Sequence, residues 1–337
     1  MAEPTVSAGF ARGLMELAVS RGADRAMLAR QSGIDSAELA DQGRRIPFAR
    51  YVALMRAGKA LSGDPALALH YGEAVDISRV SIVGLIGQAA ATMMEAFVQL
   101  NRYVALIVET QNEDGGERFR LKPAPDGLWL LDARLEANAF PELTESALAQ
   151  IVCSPRQFGA QPPVKRVCVT HADPGYAAEY QRIFAAPVVF DGDRNGILLD
   201  ASILVQPVAR LPRYAFGVLT EHADGLLADL EASQSVRGRV ERLLLPILHT
   251  GEASVDGVAG QLGLSRQTLF RRLKAEGATF AMVLDDLRRR MALHYLRGRK
   301  VSVTETAYLV GFSDPAAFSR AFKRWTGRRP SAMRGLP

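Results

Sequence analysis

The sequence predicts an α+β domain followed by an all-α domain in which two helix-turn-helix motifs are joined by a long helix. Helical apolar spacing in the first hundred residues gives way to short β-rich segments, and helical spacing returns at the end of the chain. One phrase occurs twice, as LGLSRQTLFRRLKAEG at 262–277 and as VGFSDPAAFSRAFKRWTG at 310–327. The basic charge is concentrated in the last hundred residues. These three observations define the two domains.

Length and composition are those of a globular protein with two domains. The chain has 337 residues, of which 48% are apolar and 23% charged. Cys153 and Cys168 have neither CxxC spacing nor a neighbouring His pattern for zinc, which favours a reduced cytoplasm and no metal site. The N-terminal sequence MAEPTVSAGF has no basic flank before an apolar core, so we expect no secretory signal.

The most apolar stretch, IVGLIGQAAATMMEAFV at 82–98, contains Gln88, Thr92 and Glu95. It is shorter than the roughly 20 mostly apolar residues that a membrane helix needs. We therefore expect a buried or half-buried helix here and no membrane partner.

The first domain is predicted over residues 1–205. From Phe10 to Leu106 the apolar spacing indicates helices with one buried face. The segments 105–113, 117–123 and 127–136 are short, rich in Val, Leu, Phe and Trp, and separated by EDGGE and APDG, which predicts three antiparallel strands. A helix near 141–156 should follow.

The rest of this domain mixes strand and helix. Residues 165–170 alternate as a strand, and Asp173-Pro174 is typical of a helix start. Tyr176, Tyr180 and Phe184 then form one aromatic face, for which core packing is a better explanation than a cofactor cradle. AAPVVF and NGILLD are two further strands. Without regular βαβ alternation, the domain is α+β.

Residues 206–235 are predicted to be a helical linker, with a helix at 213–233 and the polar stretch ASQSVRGR after it. The all-α domain is predicted over residues 236–337. Ser254 and Ser265 are suitable N-caps for its second and third helices.

Both copies of the repeated phrase fit a helix-turn-helix plan, which needs a supporting helix, a tight turn and a second helix with an exposed face. Gly263 and Gly311 occupy the two turns. The expected buried residues are Val255, Val258, Ala259, Leu262, Leu269 and Leu273 in the first copy, and Val303, Ala307, Leu309 or Val310, Phe318 and Phe322 in the second. A helical bundle whose turns happen to contain Gly is the alternative.

Between the copies, Phe280, Leu284, Leu287, Met291 and Tyr295 indicate one amphipathic helix of about nineteen residues, roughly 28 Å long. Successive major grooves on one face of B-DNA lie about 34 Å apart. A connector of this length would set two recognition helices into adjacent grooves of double-stranded DNA.

The charge distribution favours the same partner. Residues 236–337 carry nineteen Lys/Arg against eight Asp/Glu, or +11, whereas residues 1–235 carry twenty-two against twenty-eight, or −6. A segment with this charge is expected to bind nucleic acid, and an anionic membrane is the second candidate partner. A basic surface that is only solvated is the remaining alternative.

Residues 236–334 resemble the DNA-binding domain of AraC-type (AraC/XylS) transcription regulators. The resemblance rests on LGLSRQTLFRRLKAEG, LDDLRRRMALHYL and VGFSDPAAFSRAFKRWTGRRPSAMR, the last with GF, FSRAFKRW and G-x-x-P in order. The segment PVKRVCVTHADPGYAAEYQRIFAAPVVFDGDRNGILLD resembles the arabinose-binding-like N-terminal domain of the branch that regulates ornithine and other catabolic genes. The resemblance implies promoter or operator DNA, a small-molecule effector, a homodimer and RNA polymerase as partners. It also implies a fold other than the β-rich cupin for the first domain.

The residues predicted to contact DNA are polar or basic residues that the helical pattern leaves exposed. Gln267 and Arg271 lie four residues apart, where glutamine can pair with adenine and arginine with guanine; phosphate contact is the alternative. The candidates for base contacts are Arg266, Gln267, Thr268, Arg271, Ser319 and Arg320. The candidates for phosphate contacts are Lys274, Lys323, Arg324, Arg328 and Arg329, and the broader cationic set adds Arg288 and Arg289.

No catalytic, metal or cofactor site is predicted. Glu16, Glu136, Glu142 and Glu145 lack a paired His or nucleophile in sequence and are expected to be solvated carboxylates. We therefore expect a transcription regulator controlled by an effector whose identity the sequence leaves open. The alternatives are a constitutive DNA-binding protein with a first domain that only dimerises, and an enzyme fused to a DNA-binding domain.

Overall fold

The computed structural model describes residues 3–41, 43–156, 163–208, 210–297 and 301–333. Within these ranges the chain forms two compact units that divide between Leu227 and Ala228. Each unit has its own hydrophobic core.

The first unit consists of helices and a small mixed sheet, as expected for an α+β domain. Side chains of Ser7, Asp24 and Thr92 accept hydrogen bonds from backbone N–H groups at helix N-termini. The helices are α1 (Ala8–Ser20), α2 (Arg25–Ser32), α3 (Ser36–Ala40), α4 (Phe48–Ser62), α5 (Leu67–Ala74), α6 (Ile77–Val80), α7 (Ile82–Ala89), α8 (Met93–Ile107), α9 (Glu142–Arg156), α10 (Ala177–Phe184) and α11 (Arg213–Gln234).

Two sheets accompany these helices in the described part of the unit. The strands are β1 (Thr5–Ser7), β2 (Arg45–Pro47), β3 (Phe119–Ala124), β4 (Gly127–Asp132), β5 (Val164–Cys168), β6 (Val188–Val189) and β7 (Gly196–Leu199). Strands β1 and β2 pair antiparallel, and the other five run in the order β3-β4-β7-β5-β6, with β5 and β6 parallel. Leu130, Val167 and Ile197 of this sheet pack in one core cluster with α9 and α10.

The predicted strand at 105–113 is wrong. Residues up to Ile107 complete α8, and beyond it Val108 and Asn112 form only isolated bridges. Tyr103 and Ile107 lie four residues apart and both pack in the helical core, so tertiary packing overrides the β propensity of the Val and Ile side chains. The apolar stretch 82–98 also differs from expectation, because α7 and α8 are separate helices.

The helix predicted to start at Asp173-Pro174 begins instead at Ala177. The Asp173 carboxylate accepts a hydrogen bond from the Gly175 N–H (2.9 Å), and Gly175 has a φ of +86°, which interrupts a right-handed helix. The core interpretation of the aromatic face is confirmed for Tyr180 and Phe184, which are fully buried.

The boundary between the units lies inside the segment expected to be a linker. Phe216, Leu219 and Ala223 of α11 pack in the core of the first unit, so a fragment ending at residue 205 would expose this core. Only Ser235 separates α11 from the next helix, which begins at Val236. Ser235 caps the next helix, and the Glu276 carboxylate accepts hydrogen bonds from the N–H groups of Val236 (2.7 Å) and Arg237 (2.9 Å).

The described part of the second unit is all helical, which confirms the predicted class. A 3₁₀ segment, Leu245–Thr250, follows its first helix. The helices are α12 (Val236–Leu244), α13 (Val255–Gln261), α14 (Arg266–Ala275), α15 (Phe280–Arg297), α16 (Val303–Leu309), α17 (Pro315–Thr326) and α18 (Pro330–Met333).

Candidate nucleic-acid interface

The first helix-turn-helix motif is α13, a turn and α14. Ser254 and Ser265 cap the two helices as predicted, each accepting a hydrogen bond through Oγ from an N–H three residues later. Gly263 in the turn has a φ of +64°, a conformation that glycine adopts without strain. Leu269 and Leu273 are fully buried, so the opposite face of α14 faces solvent.

The second motif, α16, a turn and α17, repeats the plan with different caps. Ser302 and Glu305 form a capping box at α16. Both carboxylate oxygens of Asp314 accept backbone hydrogen bonds at the start of α17 (2.9 Å each), and these bonds hold the pKa of Asp314 below its ordinary value. Phe318 and Phe322 are fully buried.

Arg288 holds the second turn in place from α15. Its Nε donates to the Val310 carbonyl (3.1 Å) and its Nη2 to the Gly311 carbonyl (3.2 Å), and the guanidinium lies 4.7 Å from the ring centroid of Phe312. Burial lowers the pKa of Arg288. Because these contacts occupy the guanidinium of the half-buried Arg288, we do not expect it to contact phosphate.

The connector α15 is one continuous helix, as predicted. Its 18 residues span about 27 Å at 1.5 Å per residue. Its buried positions are Phe280, Val283, Leu287, Ala292 and Leu296, whereas the predicted core residues Leu284, Met291 and Tyr295 are half-buried. The apolar face is therefore broader than the predicted stripe, and α15 contacts α12, α16 and α18.

The structure divides the four base-contact candidates of α14 into two pairs. Gln267 and Arg271 are exposed, and neither side chain has a hydrogen bond or ion pair within the described ranges. Arg266 forms an ion pair with Asp256 (3.2 Å), and Thr268 is half-buried with its hydroxyl 2.9 Å from that of Ser265. Thr268 therefore belongs to the cap of α14 and is not an exposed side chain available to a base.

On α17 the exposed polar surface is smaller. Arg320 is 75% exposed and lies 3.9 Å from the Asp314 carboxylate. Ser319 is half-buried, which corrects its expected exposure, and Ala316 is exposed at the start of the helix. Lys323 is exposed and has no side-chain partner in the described part of the chain. The second helix therefore offers cations but few groups that could distinguish bases.

Of the remaining phosphate candidates, Arg289 is half-buried and lies 3.6 Å from the Asp286 carboxylate, whereas the other four are exposed. Lys274, Arg328 and Arg329 form no ion pair among the described residues, whereas Arg324 pairs with Asp285 (2.9 Å). Arg272 is a further exposed cation that the sequence reasoning missed, although it lies next to Arg271. Phe270 of α14 is 41% exposed and was not among the predicted site residues.

The first unit has a buried polar cluster that corrects the expectation for Glu145. Its Oε1 accepts hydrogen bonds from the hydroxyls of Tyr176 (2.8 Å) and Tyr180 (2.7 Å), and the Tyr180 oxygen lies 3.0 Å from His171 Nε2. Glu145 is 1% exposed, and burial raises its pKa. It was expected to be a solvated carboxylate without a His nearby. The partners are 26 or more positions away in sequence, so local patterns could not reveal them.

No group of three or more His, Cys, Asp or Glu side chains in the described ranges could hold a metal ion. In the same ranges, no helix is sufficiently long and apolar to cross a membrane.

Two helix-turn-helix motifs with exposed cations on their second helices define a DNA-binding transcription regulator. A family model described as the arabinose-binding domain of AraC transcription regulators matches residues 22–208, which is more than half of the chain. A helix-turn-helix domain model matches residues 258–335. The chain belongs to the AraC family of transcription regulators.

The chain is also similar to individual proteins over most of its length. The chain is 28% identical over 340 residues to the ornithine utilization regulator of Pseudomonas aeruginosa, which covers 98% of this chain and 97% of that protein. It is 25% identical to the regulator VirS of Mycobacterium tuberculosis over 85% of this chain and 84% of that protein. The crystal structure of the transcriptional regulator CdpR from Pseudomonas aeruginosa is 23% identical and covers 91% of this chain and 97% of that one, with a TM-score of 0.38.

Proposed function

We propose that this protein is a cytoplasmic, effector-controlled regulator that reads promoter or operator DNA through both helix-turn-helix motifs. The observation that carries the proposal is the pair of helix-turn-helix motifs, each with capped helices and a glycine in its turn, joined by the helix α15. Gln267, Arg271 and Lys323 on their second helices are exposed, and their side chains have no partner in the described part of the chain. In this proposal residues 1–205 with most of α11 respond to the effector, residues 236–337 bind DNA, and the protein has no catalytic role.

The two recognition helices have unequal roles in this proposal. Gln267 and Arg271 present the donor and acceptor groups that pair with adenine and guanine edges in the major groove. Helix α17 begins with Pro315, Ala316 and Ala317, which can touch thymine methyl groups but donate no side-chain hydrogen bonds. The first motif therefore specifies sequence, and the second mainly holds the DNA backbone through Lys323 and its basic neighbours.

A homodimer is the proposed active form, with RNA polymerase as a further partner at the promoter. Val98 on α8 is 51% exposed, and Tyr214 and Val218 on α11 are 84% and 49% exposed. An ion pair between Glu95 and Arg213 (2.7 Å) joins the ends of the two helices that carry them. This exposed apolar surface supports self-association. Sedimentation of the full chain should give a dimer, and Tyr214→Glu should shift it towards monomer; a monomeric wild type would contradict the proposal.

The DNA-binding proposal is tested by titrating the full chain against its own promoter fragment. We expect Arg271→Ala combined with Lys323→Ala to weaken binding by at least about tenfold, since a tenfold change corresponds to about 1.4 kcal/mol. The control is Arg290→Ala, which removes an exposed cation outside the motifs that is already paired with Glu241. Equal losses in the control and in the double variant would contradict the assigned interface.

Effector control is tested with the same titration in the presence of a metabolite panel. We expect at least one small molecule to change DNA affinity. Affinity that stays constant across the panel would favour the constitutive regulator instead. Turnover of a panel member would favour the enzyme fusion.

A further inference from the structure

The first unit contains a cavity of about 200 Å³ between helices and sheet. Residues of α6, α7, α8 and α9 line it together with β3, β4, β7 and the 3₁₀ segment Ala201–Val205. Its apolar wall includes side chains that the surrounding core leaves only half-buried: Met93, Phe97, Leu100, Leu121, Ile151 and Leu204. Half-buried apolar side chains from four different elements therefore converge on one space that a ligand could fill.

Most polar groups of this cavity are uncharged. Gln88, Gln150, Ser154 and Gln206 line it, and none of their side chains makes a hydrogen bond within the described ranges. They therefore present amide and hydroxyl groups that can both donate to and accept from a ligand.

The two charged residues of the lining do not present a buried charge to the cavity. The Asp76 carboxylate caps α6, where Oδ1 accepts from the N–H (3.0 Å) and the hydroxyl (2.6 Å) of Ser78 and Oδ2 lies 3.3 Å from Arg79 Nε. Arg210 is exposed. A charged ligand group placed among the apolar side chains would lose its hydration without gaining a buried counter-ion.

We propose that this cavity is the effector site and that it binds a small apolar molecule with one uncharged hydrogen-bonding group. The proposal rests on the effector control proposed above. An engineered apolar cavity of about 150 Å³ holds benzene, so the space here fits a molecule of about eight to ten non-hydrogen atoms. A zwitterionic amino acid such as ornithine, named in one relative, does not fit this chemistry.

Gly87 provides a way to fill the cavity without disturbing the fold. It lies inside α7 and lines the cavity, and a Cβ built on it meets no atom within 4 Å. Gly87→Leu therefore places a bulky side chain in open space, and replacing glycine favours the helix. Gly87→Ala is the matched control, because it makes the same backbone change but leaves most of the space empty.

The experiment is calorimetric titration of the full chain with benzyl alcohol, benzoate, benzylammonium and ornithine. The first three share one ring and differ in the charge of the polar group. We expect benzyl alcohol to bind wild type and Gly87→Ala with similar affinity, and Gly87→Leu at least tenfold more weakly. We also expect each charged probe to bind wild type at least tenfold more weakly than benzyl alcohol does. Tighter binding of a charged probe, or no binding of benzyl alcohol, would overturn the ligand class.

A DNA titration separates failure of the site from failure of effector control. If a metabolite changes DNA affinity equally in wild type and in Gly87→Leu, the effector binds elsewhere and the cavity assignment is wrong. If benzyl alcohol binding depends on Gly87 but no panel member alters DNA affinity, the cavity is a binding site and effector control is wrong. If Gly87→Leu loses the effect of the metabolite on DNA affinity and Gly87→Ala keeps it, the result supports both the cavity assignment and effector control.

Discussion

The turn glycines of the two motifs are equivalent in sequence but differ in their surroundings. Gly263 and Gly311 both have positive φ, at +64° and +78°. A Cβ on Gly263 would meet no atom within 4 Å, whereas a Cβ on Gly311 would lie 2.2 Å from the Leu248 carbonyl oxygen. Replacing each glycine with alanine therefore separates the cost of the backbone conformation from the cost of close packing.

We expect Gly263→Ala to destabilise the second unit by about 1–2 kcal/mol, the cost of a left-handed conformation for a residue with a Cβ. Gly311→Ala adds the overlap with Leu248. Relieving that overlap shifts the turn, and carbonyls of this turn accept the two hydrogen bonds of Arg288. A hydrogen bond from a charged donor contributes at least about 1.5 kcal/mol to stability. Loss of both hydrogen bonds adds about 3 kcal/mol to the backbone cost, so the expected loss for Gly311→Ala is about 4–5 kcal/mol.

The assay is guanidinium unfolding of the full chain followed by the fluorescence of Trp325, whose ring centroid lies 5.9 Å from that of Phe312. The other tryptophan, Trp129, belongs to the first unit and is replaced by Phe in all variants. We expect the transition midpoint to fall much further for Gly311→Ala than for Gly263→Ala. Equal shifts would refute the argument that the second turn is held tightly against Leu248.

Three further predictions concern charge. Lys323→Ala should weaken binding to all DNA sequences about equally and reduce the slope of log affinity against log salt by about 0.9, the value of one phosphate contact; an unchanged slope in a salt titration would contradict that contact. Arg288→Met should lower the unfolding midpoint of the second unit but leave the salt slope of the folded protein unchanged, and a lower slope would restore Arg288 as a phosphate contact. Because burial raises the pKa of Glu145, its contribution to the stability of the folded first unit is present below the ordinary pKa of 4.5 and is lost as pH rises through the raised value. Glu145→Gln should therefore gain stability relative to wild type with rising pH, as urea midpoints would measure, and parallel pH profiles would contradict the raised pKa.

The second unit could be predicted from sequence because local signals determine most of it. Ser254 and Ser265 are caps three residues from the N–H groups they bind, and Gly263 and Gly311 mark turns that need positive φ. The apolar spacing of α15 likewise identified a single helix. Each of these signals lies within one or two helical turns of the structure that it predicts.

Long-range contacts explain most of what the sequence did not reveal. The Val and Ile residues near 107 have β propensity, but the core of the first unit places them at the end of α8. Arg288 resembles any exposed basic residue until its contacts with the second turn, 22 and 23 positions away, are known. The cavity combines residues from Asp76 to Arg210, so no local motif could indicate it.

In the proposed mode of DNA binding, the first recognition helix specifies sequence and the second mainly binds the backbone. Selection of binding sites from random DNA with the full chain tests it directly. We predict that the half-site under α14 is more strongly constrained than the half-site under α17. Gln267→Ala and Arg271→Ala should relax particular positions of that half-site, each by about 1–3 kcal/mol of discrimination, and Lys323→Ala should leave the selected sequence unchanged. Half-sites that are equally constrained, or a stronger constraint under α17, would contradict these roles of the two helices.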